Sequence, residues 1–373
     1  MILTHEQIAS LAIPIFERAG CGPDEARRVA LRLIESNLVG HDSHGIIRLP
    51  SYVQWLRDGK VLPNKSVQVV LESDTIAALD GQFGLGQTLG EQVTQLGIDK
   101  SSKHGVAIIA LRNSGHLGRI GDWAEMAADA GKISLHFVSC NGAGMLVAPY
   151  GSIERRMGAN PIAAGIPTGR GAPIILDMSA CTVAEGKVRV ALNQGEPLPE
   201  GCIIDSEGNP TTDPRKFYSN PPGAILPISG HKGSGLSIVI ELLSGALTGN
   251  LCSHPDHAWR VVNGMLSIII DQSFFGTAPE YFAEVQRFID FVKSARTVGK
   301  NGEVLVPGEI EQRTKARRLK NGIDLDNVTW TQICETARTL GVEHSFAVPE
   351  PGDLLQQQSG LSIPACAPQS AGK

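Results

Sequence analysis

Residues 40 to 52 read Gly40-His41-Asp42-Ser43-His44-Gly45-Ile46-Ile47-Arg48-Leu49-Pro50-Ser51-Tyr52. Two imidazoles, a carboxylate, hydroxyls, a guanidinium and a phenol lie together in this one short segment. An imidazole can give and take a proton near neutral pH, and a guanidinium fork matches the two oxygens of a carboxylate. The segment therefore has the inventory of a site that holds a small acid and moves a proton. A second such group, Asn113-Ser114-Gly115-His116-Leu117-Gly118-Arg119, follows a short apolar run, where a loop at a sheet edge presents side chains. His116 reads equally well there as a structural loop histidine or as an acid/base.

Helices at the start of the chain must position the first group. Thr4 with Gln7 forms a capping-box pattern, and Pro23 followed by Asp24-Glu25 opens a second helix. On that helix Ala26, Val29, Ala30, Leu33, Ile34 and Leu38 share one face, so it reads as core and delivers the 41–52 segment. Further on, periodicity predicts a strand over 67–80, a helix over 89–100 and strands over 106–111, 133–139 and 174–178. Gly/Pro-rich connections fill 141–173. A buried helix over 235–247, a strand over 262–270, an amphipathic helix over 278–294 and a final helix over 330–340 complete the pattern. The Pro-, Gln-, Ser- and Gly-rich stretch from 349 to 373 reads as a mobile tail. No internal repeat is present.

Other motifs compete for attention. Gly84, Gly86 and Gly90 approximate a dinucleotide-binding turn and precede a helix, yet the next strand ends in Arg112-Asn113 where an acid would hold a ribose. These glycines read better as a helix start packed against a neighbouring backbone. His231-Lys232, between glycines at the start of an apolar helix, suits an anion. His254 and His257 have no third ligand at a recognised spacing and read as a surface loop. Seven cysteines without a C-x-x-C pair read as buried reduced thiols.

The chain has 373 residues, 42% of them hydrophobic and 19% charged, enough for two or three lobes of core. A formal charge of −5 gives no basic field for nucleic acid. No apolar run is long enough to cross a membrane, and the first residues lack the pattern of an export leader, so a cytoplasmic location is expected.

The runs GHDSHGIIRLPSYV, NSGHLGRIGDWAEMAADAG, MGANPIAAGIP, LDMSACTVAEGKV, PEGCIIDSEGNPTTDP, GHKGSGLSIVIELLSGALTG and VPGEIE stand in this order. Together, over about residues 3 to 345, they resemble the malate/L-lactate dehydrogenase family of the sulfolactate-dehydrogenase-like type. That family also holds ureidoglycolate dehydrogenase, diketogulonate reductase and piperideine-2-carboxylate reductase.

The resemblance implies an α/β fold of the α+β type, with a non-Rossmann cofactor domain on a largely antiparallel sheet. Residues 1–115 with 296–346 would form a helical or mixed substrate and dimerisation region, 116–295 the cofactor domain, and 347–373 a flexible tail. It implies reversible hydride transfer between a nicotinamide cofactor, NAD(H) ahead of NADP(H), and a small 2-oxo/2-hydroxy acid, in a homodimer and without a metal. Family cofactor contacts fall on Leu176, Asp177, Met178 and Ser179, on His231 and Lys232, and on Gly308, Glu309 and Ile310. The acid/base falls on His44 or His116 and the substrate-holding pair on Arg48 and Tyr52, with Ser43 and Asn160 as further substrate-binding candidates. Arg48 would clamp the acid in a bidentate fork, an imidazole with a pKa near 6.5 would exchange the proton, and Asn160 would turn backbone or amide groups to a ligand.

Three departures bear on substrate. Gly115 stands where many relatives have a second histidine, leaving room beside His116; Cys140-Asn141 stands where some bring a polar or basic group; and Arg119 would either add an anion contact or pair with Asp122. A metal-dependent hydrolase or lyase using His41, Asp42, His44 and His116, a reductase of a cyclic imino acid, and a non-catalytic binding protein are the alternatives.

Overall fold

The computed structural model describes residues 1–142, 144–257, 259–299 and 302–343; the tail expected over 347–373 lies outside them. The chain begins with β1 (Ile2–Leu3), α1 (His5–Arg18), α2 (Pro23–Leu38), two 3-10 turns (Asp42–His44 and Ile46–Arg48) and α3 (Leu49–Arg57). Next come β2 (Gln68–Glu72), β3 (Ile76–Asp80), α4 (Gly86–His104), β4 (Val106–Ser114), α5 (Gly121–Asp129), β5 (Ile133–Gly142), β6 (Ile162–Ile166) and β7 (Ile174–Met178). A small lobe holds α6 (Glu185–Gln194), β8 (Ile203–Ile204), β9 (Pro210–Thr211), α7 (Pro214–Phe217) and β10 (Ala224–Ile225). The chain closes with α8 (His231–Glu241), β11 (Val261–Ile270), α9 (Ala278–Lys293), α10 (Glu309–Asn321), β12 (Ile323–Asp324) and α11 (Asn327–Thr339).

The capping box forms as its residues require: Gln7 N donates to Thr4 Oγ1 and Thr4 N to Gln7 Oε1. Pro23 opens α2, and all six apolar residues of its expected face are buried. Those faces pack with α3, α11 and Ile323 into one core built from both chain ends. A second core lies under the seven-stranded sheet, ordered β2-β3-β4-β11-β5-β6-β7, and a third fills the small lobe. Every neighbouring pair in the large sheet is antiparallel except β3 with β4. A doubly wound dinucleotide fold is mostly parallel, whereas this mixed sheet is mostly antiparallel.

Several expectations need correction. The 67–80 run is a hairpin, β2 and β3, because Ser73-Asp74 interrupts it. The sheet takes strands from both sides of residue 115, so a boundary there would cut one hydrogen-bonded sheet in two. Residues 235–247 are helical, as α8 and a following π turn (Leu242–Ala246), but Ile238, Val239, Leu242 and Leu247 are exposed rather than buried. α9 is amphipathic as expected, yet none of its residues is buried. Apolar periodicity says that burial is favourable, not that the same chain supplies the partner.

His136, on β5, is fully buried and shares a 2.9 Å hydrogen bond with Ser267 Oγ through Nδ1. Burial pushes its pKa down from 6.5 to about 3. Between those values the unfolded chain binds a proton that the folded chain refuses, so stability falls as the pH drops through that window. His136→Gln is expected to flatten urea-measured stability between pH 6 and 4, by up to about 1.4 kcal/mol per pH unit. Equal slopes in both proteins would refute the assignment.

Candidate active site

α2 ends at Leu38, and the Asn37 side chain fastens the turn that follows. Its Oδ1 accepts Ile46 N at 2.7 Å and its Nδ2 donates to Asp42 Oδ1 at 2.6 Å. The two 3-10 turns then set His44 and Arg48 toward the sheet, and α3 brings Tyr52 to the same place. From the other side, the loop after β4 delivers His116. The His44 and His116 rings stack with centroids 5.5 Å apart, and Tyr52 Oη lies 2.6 Å from His116 Nδ1. Thus residues about 70 positions apart in sequence form one cluster at the seam between the helical core and the sheet.

The glycine run at 84–90 serves this cluster. β3, α4 and β4 form a β-α-β unit, the local setting of a phosphate turn, but a Cβ on Gly86 would lie 2.2 Å from the His116 carbonyl oxygen. The first turn of α4 is therefore packed against the His116 loop. Gly115 leaves no extra room either, since a Cβ there would meet the Gly84 oxygen at 2.6 Å and Val61 beyond.

Ser43 Oγ is 2.9 Å from His44 Nδ1, and its carbonyl accepts Arg48 Nε at 2.7 Å. Arg48 Nη2 reaches Glu185 Oε2 at 3.1 Å, and the Tyr218 hydroxyl donates to Glu185 Oε1 at 2.7 Å. Burial acts to raise the Glu185 carboxyl, but Arg48, Tyr218 and Arg189 outweigh it and hold it below the usual range. The guanidinium expected to be a free fork is thus already held at Nε and Nη2. Sequence reasoning missed Glu185, although it lies in the LDMSACTVAEGKV run.

The imidazoles also depart from expectation. Burial, then the Arg48 charge, pushes His116 down to about 3, with Glu185 opposing. His44 is driven well below its ordinary value by burial first, then by its closeness to His116, which disfavours two protonated rings side by side, and by the Arg48 charge. Both rings are therefore neutral at pH 7, not half-titrated. Burial raises Tyr52 to about 12 against the Gln87 hydrogen bond and Arg48.

Other sequence candidates resolve individually. Asn160 is fully buried: Oδ1 accepts Cys140 N, and Nδ2 donates to Ser237 and to Glu241 Oε2, so its amide joins elements and leaves the backbone as the group it could turn to a ligand. Arg119 pairs with Asp122 at 2.7 Å and Glu125 at 2.5 Å and offers no surface anion contact. His41, Asp42, His44 and His116 do not converge as metal ligands: Asp42 is held by Arg318 and Asn37, and His41 Nε2 lies 3.3 Å from Glu311. Among the described residues no group of three or more His, Cys, Asp or Glu could hold a metal ion, and no helix is long and apolar enough to cross a membrane. His254 lies on the surface beside Asp256. Six cysteines, Cys21, Cys140, Cys181, Cys202, Cys252 and Cys334, carry free thiols.

The segments expected to hold a cofactor gather along β7. It is the last strand of the sheet, with Leu176 exposed and Asp177, Met178 and Ser179 half-buried. At one end Ile175 N donates to Pro307 O, which places Gly308, Glu309 and Ile310 beside the strand. At the other, Ile228 N donates to Ala180 O, three residues before His231 and Lys232 open α8. Asp177 Oδ2 accepts Gly121 N at 3.1 Å and lies 4.0 Å from His41 Nδ1. An edge strand with the exposed His231 and Lys232 at one end and carboxyl groups alongside it fits an elongated ligand with phosphate and sugar parts.

A mixed α/β fold with paired imidazoles, a phenol and a guanidinium at the seam of its cores is an architecture for acid/base work on a small anion. The chain belongs to the malate/L-lactate dehydrogenase family, which it matches over residues 3–334, and is by family a hydroxy-acid oxidoreductase. It is 40% identical over 332 residues to hydroxycarboxylate dehydrogenase B of Escherichia coli strain K12, covering 88% of this chain and 91% of that protein. The structure of sulfolactate dehydrogenase from Methanocaldococcus jannaschii superposes with a TM-score of 0.79 at 34% identity, covering 92% of this chain and 98% of the other. That of delta1-piperideine-2-carboxylate reductase from Pseudomonas syringae pvar. tomato gives 0.75 at 30%, covering 90% and 100%.

Proposed function

We propose that the protein is a nicotinamide-dependent oxidoreductase that interconverts a small 2-oxo acid and its 2-hydroxy acid, without a metal. The observation that carries this reading is the seam cluster, in which His44, His116 and Tyr52 meet Arg48. The nicotinamide, when bound, supplies or accepts the hydride. This chain's own residues hold the acid and handle the proton. Arg48 offers its charge and its remaining N–H groups to the substrate carboxylate, with Ser43 and Glu185 fixing the guanidinium plane so that little freedom is lost on binding. One imidazole, His116 or His44, exchanges the proton of the reacting oxygen, and the other orients that oxygen. Asp177 and Glu311, the carboxyl groups beside His41 near the β7 strip, favour sugar hydroxyls over an extra phosphate, which supports NAD(H) ahead of NADP(H). Free thiols agree with a cytoplasmic setting.

A spectrophotometric panel of 2-oxo acids with NADH and NADPH, followed at the reduced-nicotinamide absorbance, tests the reading; no turnover with any acid would refute it. The panel includes a cyclic imino acid, because a neighbour in fold is named for reducing one. The same Arg48 and imidazole groups would serve a C=N bond.

Homodimerisation is supported by the apolar residues left open: Ile238, Val239, Leu242 and Leu247 near α8, and Phe288 and Phe291 on α9. Their contiguity along two elements is more than scattered surface apolarity. Sedimentation at micromolar concentration is expected to give a dimer, and an active monomer would contradict it.

Arg48→Met is expected to raise KM for the acid and lower kcat/KM by roughly 2–5 kcal/mol, leaving cofactor affinity nearly unchanged. Equal loss on a substrate analogue without the carboxylate would show a different role. Changing the proton-exchanging histidine to Ala is expected to slow turnover by about 10²–10⁴-fold, and changing its partner by less. Because His116 stays neutral until the pH approaches about 3, kcat/KM for reduction is expected to stay flat from pH 8 to 5. A step centred near 6.5 would mean that the ring titrates normally.

A further inference from the structure

Gln87, in the first turn of α4, is 1% exposed. Its Nε2 donates to Tyr52 Oη at 3.0 Å, and that oxygen lies 2.6 Å from His116 Nδ1. An amide nitrogen cannot accept a hydrogen bond. Among the described contacts His116 Nδ1 is therefore the one acceptor for the phenol proton, and Tyr52, also 1% exposed, has little access to water as a competitor. An Nδ1 that accepts carries no proton, so in the neutral ring the proton resides on Nε2.

We propose that Gln87 is a positioning residue for the reaction: by donating to Tyr52 it holds the phenol as a donor to His116 Nδ1 and so fixes the imidazole as its Nε2–H tautomer. Nε2, the nitrogen away from the phenol, then meets the reacting oxygen as a donor, which suits reduction of a carbonyl. As Nε2 gives its proton to the developing alkoxide, Nδ1 takes the phenol proton, so the ring stays neutral and the Gln87 N–H faces the phenolate formed. Burial raises the phenol to about 12 and opposes that exchange, while the Gln87 hydrogen bond and then the Arg48 charge favour the phenolate. Close packing of Gly86 on the His116 carbonyl fixes the backbone of the same residue from the same helical turn. The glycine run, without the features of a phosphate turn, thus acquires a role as the mount of the proton-handling group.

The catalytic part rests on His116 as the acid/base, whereas the tautomer does not. Nitrogen-15 NMR of the full-length chain labelled at histidine, unliganded at pH 7 and with His116→Gln for assignment, is expected to show an unprotonated Nδ1 and a protonated Nε2. Gln87→Leu is expected to give a mixture of tautomers and to lower kcat for reduction by roughly 10–100-fold, with KM for the cofactor unchanged. A wild-type ring protonated at Nδ1, as the reversed amide would produce, overturns the proposal. So does a Gln87→Leu protein in which either the tautomer or kcat is unchanged. Should that variant fail to fold, the wild-type spectrum alone decides the tautomer. Full turnover in His116→Ala would instead refute the acid/base role while leaving the tautomer result standing.

Discussion

His116 sits where two separately built cores meet, and its placement constrains much of what surrounds it. The helical core supplies Tyr52 and the sheet supplies the loop, while the first turn of α4 touches both: Gly86 through the His116 backbone and Gln87 through the phenol. In a buried polar chain of this kind an unpaired group costs about 1–3 kcal/mol; the links from Gln87 Nε2 through Tyr52 to His116 are made, and Gln87 Oε1 has no partner among the described contacts. Registration between the layers and orientation of the imidazole are thus the same set of contacts. Asn263 adds to them from the central strand, its Oδ1 accepting Leu117 N and its Nδ2 donating to Ser139 O.

Charge in this region is arranged for neutrality as much as for attraction. Arg48 faces Glu185, Arg119 faces Asp122 and Glu125, and Arg318 faces Asp42. A buried ion without a partner would cost several kcal/mol, so each guanidinium near the seam has a carboxylate. What remains for a ligand is geometry: a fixed guanidinium plane and two neutral rings. Arg48 also explains part of that neutrality, since its positive charge opposes protonation of both imidazoles after burial has already done so.

The apolar surfaces along α8 and α9 belong to a different part of the physics. α9 has alternating faces that match a core helix, and Gly169 packs against Phe282 near its start, but Phe288 and Phe291 stay open. Burial there requires a surface that the described residues do not supply.

Local rules determined much that could be read directly: the Thr4 cap, the buried stripe of α2, the strands 106–111 and 174–178, and which segments carry imidazole, phenol and guanidinium. Those features depend on neighbours within a turn or a pleat, so periodicity exposes them. The family also followed from runs of residues in order. Tertiary structure alone decided that Gly86 meets the His116 carbonyl, that Glu185 holds Arg48, that Asn160 and Arg119 are committed internally, and that both imidazoles are neutral. Each depends on contacts between residues distant in sequence and on the loss of water around them, and neither distance nor desolvation is encoded in residue type or spacing.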